Sequence, residues 1–226
     1  MQLIIDFHQI KEIDINPFLI SKKDVIALDA EILLDAGAVI NHRTLGDDLC
    51  PPHLSICPYP SQYAIERTLE DGTVCCIRPI RGEDEPNIYA LFKSLSDETI
   101  IYRFGHSLVH LPHEKLVRYC QIDYDRELAF VGVTADKQNI IGDVRISKMP
   151  DLENAELSIL ISDEWQGKGI GTILMEYSIG IAKEIGLKSL WMEILKNNRR
   201  MLSLGQKFGF KQAYDDEDMV RVVLRL

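Results

Sequence analysis

Residues 156–171 limit most narrowly what this chain can fold into, because they join three local patterns in a fixed order. Residues 156–161 alternate and are rich in aliphatic side chains, which predicts a strand. Residues 166–171 carry glycine at every second position, and apolar residues at helical spacing follow from Thr172. This order is typical of a phosphate site, since loop amides and the positive end of a helix attract anions. A plain tight turn is the alternative.

The spacing of the glycines distinguishes between the motifs of three kinds of phosphate-binding loop. It departs from the P-loop pattern, because Lys168 stands between the glycines and no Ser or Thr follows it, and from the dinucleotide fingerprint G-x-G-x-x-G. It matches Q-x-x-G-x-G, starting at Gln166. That motif resembles the coenzyme A pyrophosphate loop of the GNAT acetyltransferase superfamily, and the resemblance implies acetyl-CoA as cosubstrate.

The bulk properties exclude several classes of protein. Of the 226 residues 46% are hydrophobic, as in globular domains, and no apolar run is long enough to span a bilayer. The N-terminus lacks the basic start and apolar core of a signal peptide, so we expect a cytoplasmic protein without a membrane partner. A net charge of −10 argues against a nucleic-acid partner and is compatible with a basic, lysine-bearing protein substrate.

The cysteines and histidines predict no metal. The 5 cysteines are odd in number and form no C-x-x-C pair, which argues against a disulfide framework or a zinc site. We interpret them as buried small hydrophobic residues. His106, His110 and His113 have no acidic residue at ligand spacing, so we interpret them as solvated loop residues.

The chain divides by pattern into a hairpin at 1–35, a linker at 36–64 and a main domain at 65–226. Two alternating runs, 12–21 and 25–35, flank a short polar turn and predict the hairpin. Four prolines between residues 51 and 60 predict the linker. Because an isolated two-stranded hairpin is marginal in water, we expect it to pack on the main domain or on a second copy, which leaves a homodimer open.

The hairpin carries a second resemblance. E-I-D-I-N-P-F-L-I at 12–20, followed by A-L-D-A-E at 27–31, is similar to the final strands of the ATP-grasp domain in NDP-forming acyl-CoA synthetases. The resemblance implies that Asn16 and Asp29 occupy the positions that hold nucleotide magnesium there. Since the body of such a domain does not precede these strands, we expect a packing or dimerisation appendage, a remnant of a fusion or a trimmed start instead of ATP binding.

Three stretches of the main domain resemble one GNAT subgroup. They are R-P-I-R-x-E-D-E-P at 78–86, L-S-D-E-T-x-x-Y-R-F at 95–104 and Q-I-D-Y-D-R-E-L-A-F at 121–130. The subgroup is the Pat-type protein lysine acetyltransferases, many of which are fused to the acyl-CoA synthetase body. The periodic segments run strand pair, helices, three strands, helix, strand, helix, two strands. We therefore predict an α/β fold of GNAT type, a mixed central sheet flanked by helices, with a short N-terminal β-hairpin appendage.

The resemblance assigns the cofactor-binding residues one by one. Backbone groups at the strand end are expected to pair with the pantetheine arm, and the loop and helix start to bind the pyrophosphate. Asn198 stands where the family's asparagine contacts coenzyme A, and it also has the character of a helix N-cap. The predicted set is Leu160, Ile161, Gln166, Gly167, Lys168, Gly169, Ile170, Gly171, Thr172 and Asn198.

Acetyl transfer to an amine also needs a general base and a proton for the leaving thiolate. Ala155-Glu156-Leu157 matches A-E-[FL] of the Pat-type proteins, so the resemblance implies Glu156 as the base, with Glu193 as the fallback. Many GNAT proteins place a tyrosine seven residues after the asparagine, where this chain has Gly205. Water, Tyr177 or Ser203 are left as sources of that proton.

We therefore predict an acetyl-CoA-dependent N-acetyltransferase whose acceptor is a protein lysine side chain, with acyl-CoA synthetases as the first substrates to consider. Three alternatives are open. They are a small-molecule amine acetyltransferase, a non-catalytic acyl-CoA-binding regulatory module, and an ATP-binding subunit completed by another chain.

Overall fold

A computed structural model describes residues 3, 7, 9–21, 24–35, 59–106, 111–136 and 138–226. The chain forms two compact units, Met1–Pro58 and Tyr59–Leu226. Residues 59–64, which the sequence pattern assigns to the linker, belong to the second unit, where Tyr63 is buried and its hydroxyl donates to Glu184 Oε1 at 3.1 Å. Because residues 36–58 lie outside the described ranges, the predicted division at 1–35, 36–64 and 65–226 stays a prediction.

The first unit contains one long, interrupted hairpin. Strand β1 (Ile10–Ile15) pairs with β4 (Ala30–Leu34), and β2 (Phe18–Ile20) pairs with β3 (Val25–Ala27). The predicted first strand is interrupted at Pro17, which has no N–H to donate to a ladder. The hairpin is confirmed, although the turn residues Lys22 and Lys23 lie outside the described residues.

The second unit is built on one eight-stranded sheet with the order β11-β12-β10-β9-β8-β7-β6-β5. Its strands are β5 (Ile65–Thr68), β6 (Val74–Pro79), β7 (Glu127–Thr134), β8 (Ile140–Lys148), β9 (Asn154–Ile161), β10 (Ser189–Leu195), β11 (Lys211–Asp215) and β12 (Met219–Arg225). Every neighbouring pair is antiparallel except β9 and β10, which are parallel. The sheet is therefore mixed, as predicted, and its single parallel pair lies at the centre.

In the described part of the chain, five α-helices lie on the sheet. They are α1 (Glu85–Ser94), α2 (Asp97–Phe104), α3 (His113–Cys120), α4 (Ile170–Glu184) and α5 (Arg199–Lys207). Helix α2 is capped at its start by Ser96, whose hydroxyl accepts the Thr99 amide at 3.3 Å, and it ends at Gly105, whose φ of 73° favours glycine. None of the helices in the described part of the chain is long and apolar enough to span a membrane.

The helices divide between the two faces of the sheet. Helices α1, α2 and α3 pack on one face, around a core that includes Phe92, Val131 and Leu160. Helices α4 and α5 lie on the other face, where Ile170 approaches Gly132 of β7 and Met192 of β10 approaches Gly205. Helices thus lie on both faces of the sheet, while Glu193 on β10 stays exposed and the two central strands separate beyond Glu156 and Trp191.

Candidate active site

The central strands separate after a short paired segment. Strands β9 and β10 pair only at Asn154–Ser189, Ala155–Leu190 and Glu156–Trp191, after which both strands continue without a bridge between them. Strand β9 stays paired with β8 as far as Ile161. One edge of β9 therefore carries peptide groups that face an opening between the two strands, and an extended polar chain could pair with them.

The register shows which residues of β9 face this opening. The Ser162 amide donates to the Ile141 carbonyl and the Asn154 carbonyl accepts from the Met149 amide, both toward β8. Since N–H and C=O groups alternate in direction along a strand, the odd-numbered residues face β10, including Ile159 and Ile161.

Of the two residues predicted to hold the pantetheine arm, Ile161 faces the opening and Leu160 does not. Leu160 pairs with Asp143 of β8, and its side chain is 2% exposed. Ile159, which the sequence reasoning did not name, takes its place beside Ile161 at this edge.

The glycine-rich loop has the geometry of an anion site. Gly167 and Gly169 have φ of 78° and 92°, in the left-handed region, and a Cβ at either would meet nothing within 4 Å. Gly169 is the N-cap of α4. The first intrahelical bond runs from the Ile173 amide to the Gly169 carbonyl at 3.1 Å, so the amides of the first turn have no helical acceptor.

The predicted loop residues stand together at this helix end. Helix α4 begins at Ile170, two residues before the expected Thr172, so Gly171 and Thr172 belong to its first turn. Lys168 is exposed, with its Nζ 4.9 Å from the Trp165 ring centroid. Amides at a helix N-terminus, glycines that allow close approach and a free strand edge all suit the pyrophosphate and pantetheine parts of coenzyme A.

The Gln166 side chain is bound to the protein itself. Its Nε2 donates to Thr99 Oγ1 at 3.1 Å, to the Ile161 carbonyl at 3.2 Å and to Asp163 Oδ1 at 3.0 Å, while its Oε1 accepts from Arg200 Nη1 at 2.7 Å. The side chain thus fixes the loop between β9, α2 and α5. Only the backbone of Gln166 is left for a ligand.

Asp163 joins the same loop to α2. Its carboxylate accepts the Ser96 amide at 2.6 Å, the Ser96 hydroxyl at 3.1 Å and the Thr99 hydroxyl at 2.6 Å. Partial burial would raise the pKa of Asp163, but the hydrogen bonds from Thr99 and Ser96 outweigh it, so the pKa lies below its usual value. The carboxylate therefore stays ionised and holds the end of α2 against the loop.

Asn198 is the N-cap of α5, as its residue type predicts. Its Oδ1 accepts the Met201 amide at 3.1 Å. Its Nδ2 donates to no acceptor among the described residues and remains available to a ligand. Capping and coenzyme contact use different atoms of this side chain, so the two expected roles are compatible.

Glu156 lies at the last bridge between the central strands, where the opening begins. It is half-buried, and its carboxylate forms no hydrogen bond or ion pair with any residue that the structure describes. Burial raises the pKa of Glu156, Glu193 adds to the rise, and Arg103 and Arg221 oppose it. A free carboxylate with a raised pKa is suited to accept a proton.

Glu193, the fallback, is differently placed. It shares the sheet face of Glu156, since Trp191 pairs with Glu156 and lies two residues before Glu193. Its Oε1 is bound by Arg221 at 2.5 Å and 3.2 Å. The exposed, paired carboxylate of Glu193 is less suited to take a proton than that of Glu156.

Gly205 has no side chain that could donate a proton to the leaving thiolate. This residue is buried, and a Cβ there would lie 3.2 Å from Met192 Cε. Tyr177 is directed elsewhere, because its hydroxyl donates to the Tyr63 carbonyl and its ring packs edge-on against Phe130. Ser203 is exposed on α5. The structure thus argues against Tyr177 as the source of the thiolate proton, and water and Ser203 stay open.

Two further residues near the opening, Tyr102 and Arg103, received no functional role in the sequence analysis. The Tyr102 hydroxyl donates to Glu98 Oε1 at 2.9 Å and lies 3.5 Å from the Asn197 carbonyl, so it spans from α2 to the turn after β10. Arg103, on the next position of α2, has a buried Nε without a hydrogen-bond partner. Both residues belong to the motif L-S-D-E-T-x-x-Y-R-F at 95–104. Only the fold shows that α2, which carries them, lies over β9.

The hairpin of the first unit and the histidines supply the remaining candidates. Asn16 and Asp29 fall at facing interruptions of the first unit's hairpin, and Asp29 Oδ1 accepts the Ala30 amide at 2.9 Å. His113 begins α3 and its Nδ1 lies 2.5 Å from Glu85 Oε1, whereas His110 lies outside the described residues. Within the described ranges, no group of three or more His, Cys, Asp or Glu is arranged to hold a metal.

Comparison with known proteins agrees with this geometry. A profile for the ATP-grasp domain matches residues 1–34, which is compatible with the resemblance of the hairpin. An acetyltransferase of Pseudomonas aeruginosa is 28% identical over 161 residues, covering 70% of this chain and 87% of that protein. The acetyltransferase Pat of Mycolicibacterium smegmatis is 27% identical over 167 residues, which are 73% of this chain and 48% of that protein.

A solved structure shares the fold of this chain, and a family profile matches the residues that form the site. The crystal structure of the GNAT domain of S. lividans PAT superposes with a TM-score of 0.70 at 24% identity, covering 75% of this chain and 100% of that domain. The profile of the acetyltransferase (GNAT) family matches residues 89–210, more than half of the chain. The chain therefore belongs to the GNAT family and is an acetyl-CoA-dependent acetyltransferase.

Proposed function

We propose that this enzyme transfers the acetyl group to the side-chain amine of a lysine in a protein, and that acyl-CoA synthetases are the acceptors to test first. The observation that carries the proposal is Glu156, a half-buried carboxylate without a partner at the start of the opening. The Pat-type motifs of the sequence and the similarity to Pat of Mycolicibacterium smegmatis support the acceptor class.

The surroundings of Glu156 favour a protein acceptor over a small amine. Cavities of about 330 Å³ and about 500 Å³ occur in the second unit, the first lined by residues such as Arg81 and Tyr124 and the second by residues such as Arg67 and Glu176. Neither includes Glu156 or Glu193. An acceptor at Glu156 would approach across an open sheet face, which suits a side chain presented by another protein.

Glu156 supplies the base that the amine requires. A free lysine has a pKa of about 10.4, so its neutral form costs roughly 4–5 kcal/mol at pH 7. Glu156 accepts the ammonium proton, directly or through water, and the neutral nitrogen then attacks the carbonyl carbon of the thioester. A positioned general base contributes about 10²–10⁴-fold to the rate.

The loop, the strand edge and Asn198 hold the cosubstrate. Bound acetyl-CoA supplies an activated acetyl thioester, and its C–S bond breaks as the new C–N bond forms. The attacking nitrogen releases its second proton to water and the thiolate takes a proton from water, because the position from which a tyrosine would donate is Gly205 in this chain. Since a thiolate is a good leaving group, the absence of that hydroxyl still permits turnover.

One residue is also compatible with a second candidate function. The same Gly205 is compatible with a regulatory module that binds acyl-CoA without turnover. The two functions differ in whether acetyl-CoA is consumed when an amine is supplied.

The test compares thiol release from acetyl-CoA by the wild type and Glu156→Gln, with a purified acyl-CoA synthetase as acceptor. We expect the kcat of Glu156→Gln to be about 10²–10⁴-fold lower than that of the wild type. Titration calorimetry should show that this variant still binds acetyl-CoA. Glu193→Gln is the matched control, on the same face but paired with Arg221, and is expected to keep most of the activity.

Each other result would overturn part of the proposal. Activity retained by Glu156→Gln would remove Glu156 as the base. Turnover confined to small amines would replace the lysine acceptor. Binding without turnover in the wild type, across protein and small amine acceptors, would establish the regulatory module.

A further inference from the structure

We propose that Arg200 is a further coenzyme-binding residue, which holds the diphosphate of coenzyme A from the side opposite the amides of the glycine-rich loop. Arg200 is exposed in the first turn of α5, and its Nη1 donates to Gln166 Oε1 at 2.7 Å. This bond places a guanidinium at the loop that the sequence and the fold both assign to phosphate. The inference depends on the use of acetyl-CoA, not on the identity of the acceptor.

The chemistry of Gln166 fixes the direction of this bond. Its amide nitrogen faces three acceptors, namely a hydroxyl oxygen of Thr99, the carbonyl of Ile161 and the carboxylate of Asp163. Exchange of the amide oxygen and nitrogen would set an oxygen against a carbonyl and a carboxylate, and an NH₂ against a guanidinium. The oxygen must therefore face α5, so the loop itself provides an acceptor that holds Arg200.

The location of Arg200 runs against the local rules of helix structure. Acidic residues favour the first turn of a helix because its N-terminus is positive, and α1, α2 and α3 each have them there. Helices α4 and α5 have none, and α5 instead begins with Arg199 and Arg200. The positive end of α4 and the guanidinium of Arg200 therefore both lie at the loop, in a chain whose net charge is −10. Where a local preference is reversed, a functional reason is expected.

The guanidinium has donors left for a ligand. Arginine offers five N–H groups in a planar fork that matches two phosphate oxygens, and the bond to Gln166 uses one of them. The loop amides and the α4 end approach a bound diphosphate from one side. Arg200 approaches from α5, so the two sets of donors would enclose its charge.

The test measures binding constants by titration calorimetry for the whole chain, with Arg200→Gln as the variant and Arg199→Gln as the matched control. Arg199 carries the same charge one position earlier and is exposed, and its side chain forms no hydrogen bond or ion pair with the loop among the described residues. Arg200→Gln is expected to weaken acetyl-CoA binding by about 10–100-fold, since a charge-assisted hydrogen bond to phosphate is lost. Arg199→Gln is expected to stay within about twofold, as surface charges typically do.

Truncated ligands separate the phosphates from the rest of the coenzyme. S-acetylpantetheine has no phosphate, so both variants should bind it as the wild type does. Acetyl-dephospho-CoA keeps the diphosphate and should show the same loss in Arg200→Gln as acetyl-CoA. An equal loss with S-acetylpantetheine would show that the substitution merely distorts the loop, and a loss that vanishes with acetyl-dephospho-CoA would move the contact to the 3′-phosphate. Either result, or the same loss in Arg199→Gln, would overturn the assignment.

Discussion

Replacing Gly142 with alanine tests how closely β8, β9 and α4 are packed behind the opening. Gly142 is buried on β8 opposite Ile161. A Cβ there would lie 2.9 Å from Ile161 Cδ1, 3.0 Å from Leu174 Cδ1 and 3.3 Å from the Leu160 carbonyl oxygen. The two side-chain ends can shift, but the carbonyl is held in the ladder, so one added methyl group must displace β9 or α4.

The size of the effect follows from two opposing contributions. Overpacking a core of this density costs about 1–3 kcal/mol, whereas alanine in place of glycine lowers the entropy of the unfolded chain, a gain of about 0.5–1 kcal/mol. We expect a net loss of about 1–2 kcal/mol in the free energy of unfolding, which lowers Tm by about 2–8 °C in a domain of this size.

A second glycine in the same unit serves as the control. Gly180 lies within α4, and a Cβ there would meet nothing within 4 Å. Gly180→Ala should therefore stabilise the protein by up to about 1 kcal/mol, through helix propensity alone. Both variants can be followed by the fluorescence of Trp165 and Trp191 in urea, since both tryptophans belong to the second unit.

The coenzyme provides the second measurement. Displacement of Ile161 would disturb the strand edge that faces the opening, so Gly142→Ala should also bind acetyl-CoA more weakly, while Gly180→Ala should not. If Gly142→Ala is as stable as the wild type and binds acetyl-CoA equally well, the packing argument for this part of the sheet is wrong.

The charged groups give three more predictions. Because ionised Glu156 takes the proton of the bound ammonium, log(kcat/KM) should rise with pH at a slope of one below the raised pKa of Glu156 and level off above it, whereas Glu156→Gln, which can use only an amine that is already neutral, should keep a slope of one up to the pKa of the amine. Asp163→Asn should unfold at lower urea than the wild type at pH 7; since the folded pKa of Asp163 lies below 3.8, this difference should persist above that pH and shrink as the pH falls through the folded value. Tyr119→Phe removes a 2.7 Å hydrogen bond to the fully buried Asp143 and should cost about 1–3 kcal/mol in urea unfolding, whereas a loss under about 0.5 kcal/mol would show that Arg145 alone satisfies that carboxylate.

Most elements of the second unit could be predicted from the sequence because their signals are local. Period-two alternation over residues 156–161 predicted β9, and the N-cap character of Asn198 predicted the start of α5. The start of α4 was placed two residues late. Gly169 caps that helix through its own backbone at φ 92°, without the polar side chain that usually marks an N-cap.

The parts of the site that escaped prediction depend on distant residues. The sequence assigned no role to Asp163, because its partners Ser96 and Thr99 are 67 and 64 positions away in the chain. The sequence analysis named Leu160 together with Ile161, but the direction of each peptide group depends on the register with β8, which the pattern of one strand does not contain. Glu156 and Gln166 could be proposed early because a motif names them, although the contacts that fix Gln166 to Arg200 arise only from the fold.

The separation of the central strands also bears on how the enzyme responds to its own product. Everything that the opening, the loop and Asn198 can hold — the pantetheine arm and the phosphates — is common to acetyl-CoA and to free coenzyme A, and only the acetyl group distinguishes them. Free coenzyme A should therefore compete for the site with an affinity close to that of the substrate. The rate in a cell would then follow the ratio of acetylated to free coenzyme more than the concentration of either, so the same geometry that binds the cosubstrate makes the enzyme sensitive to metabolic state.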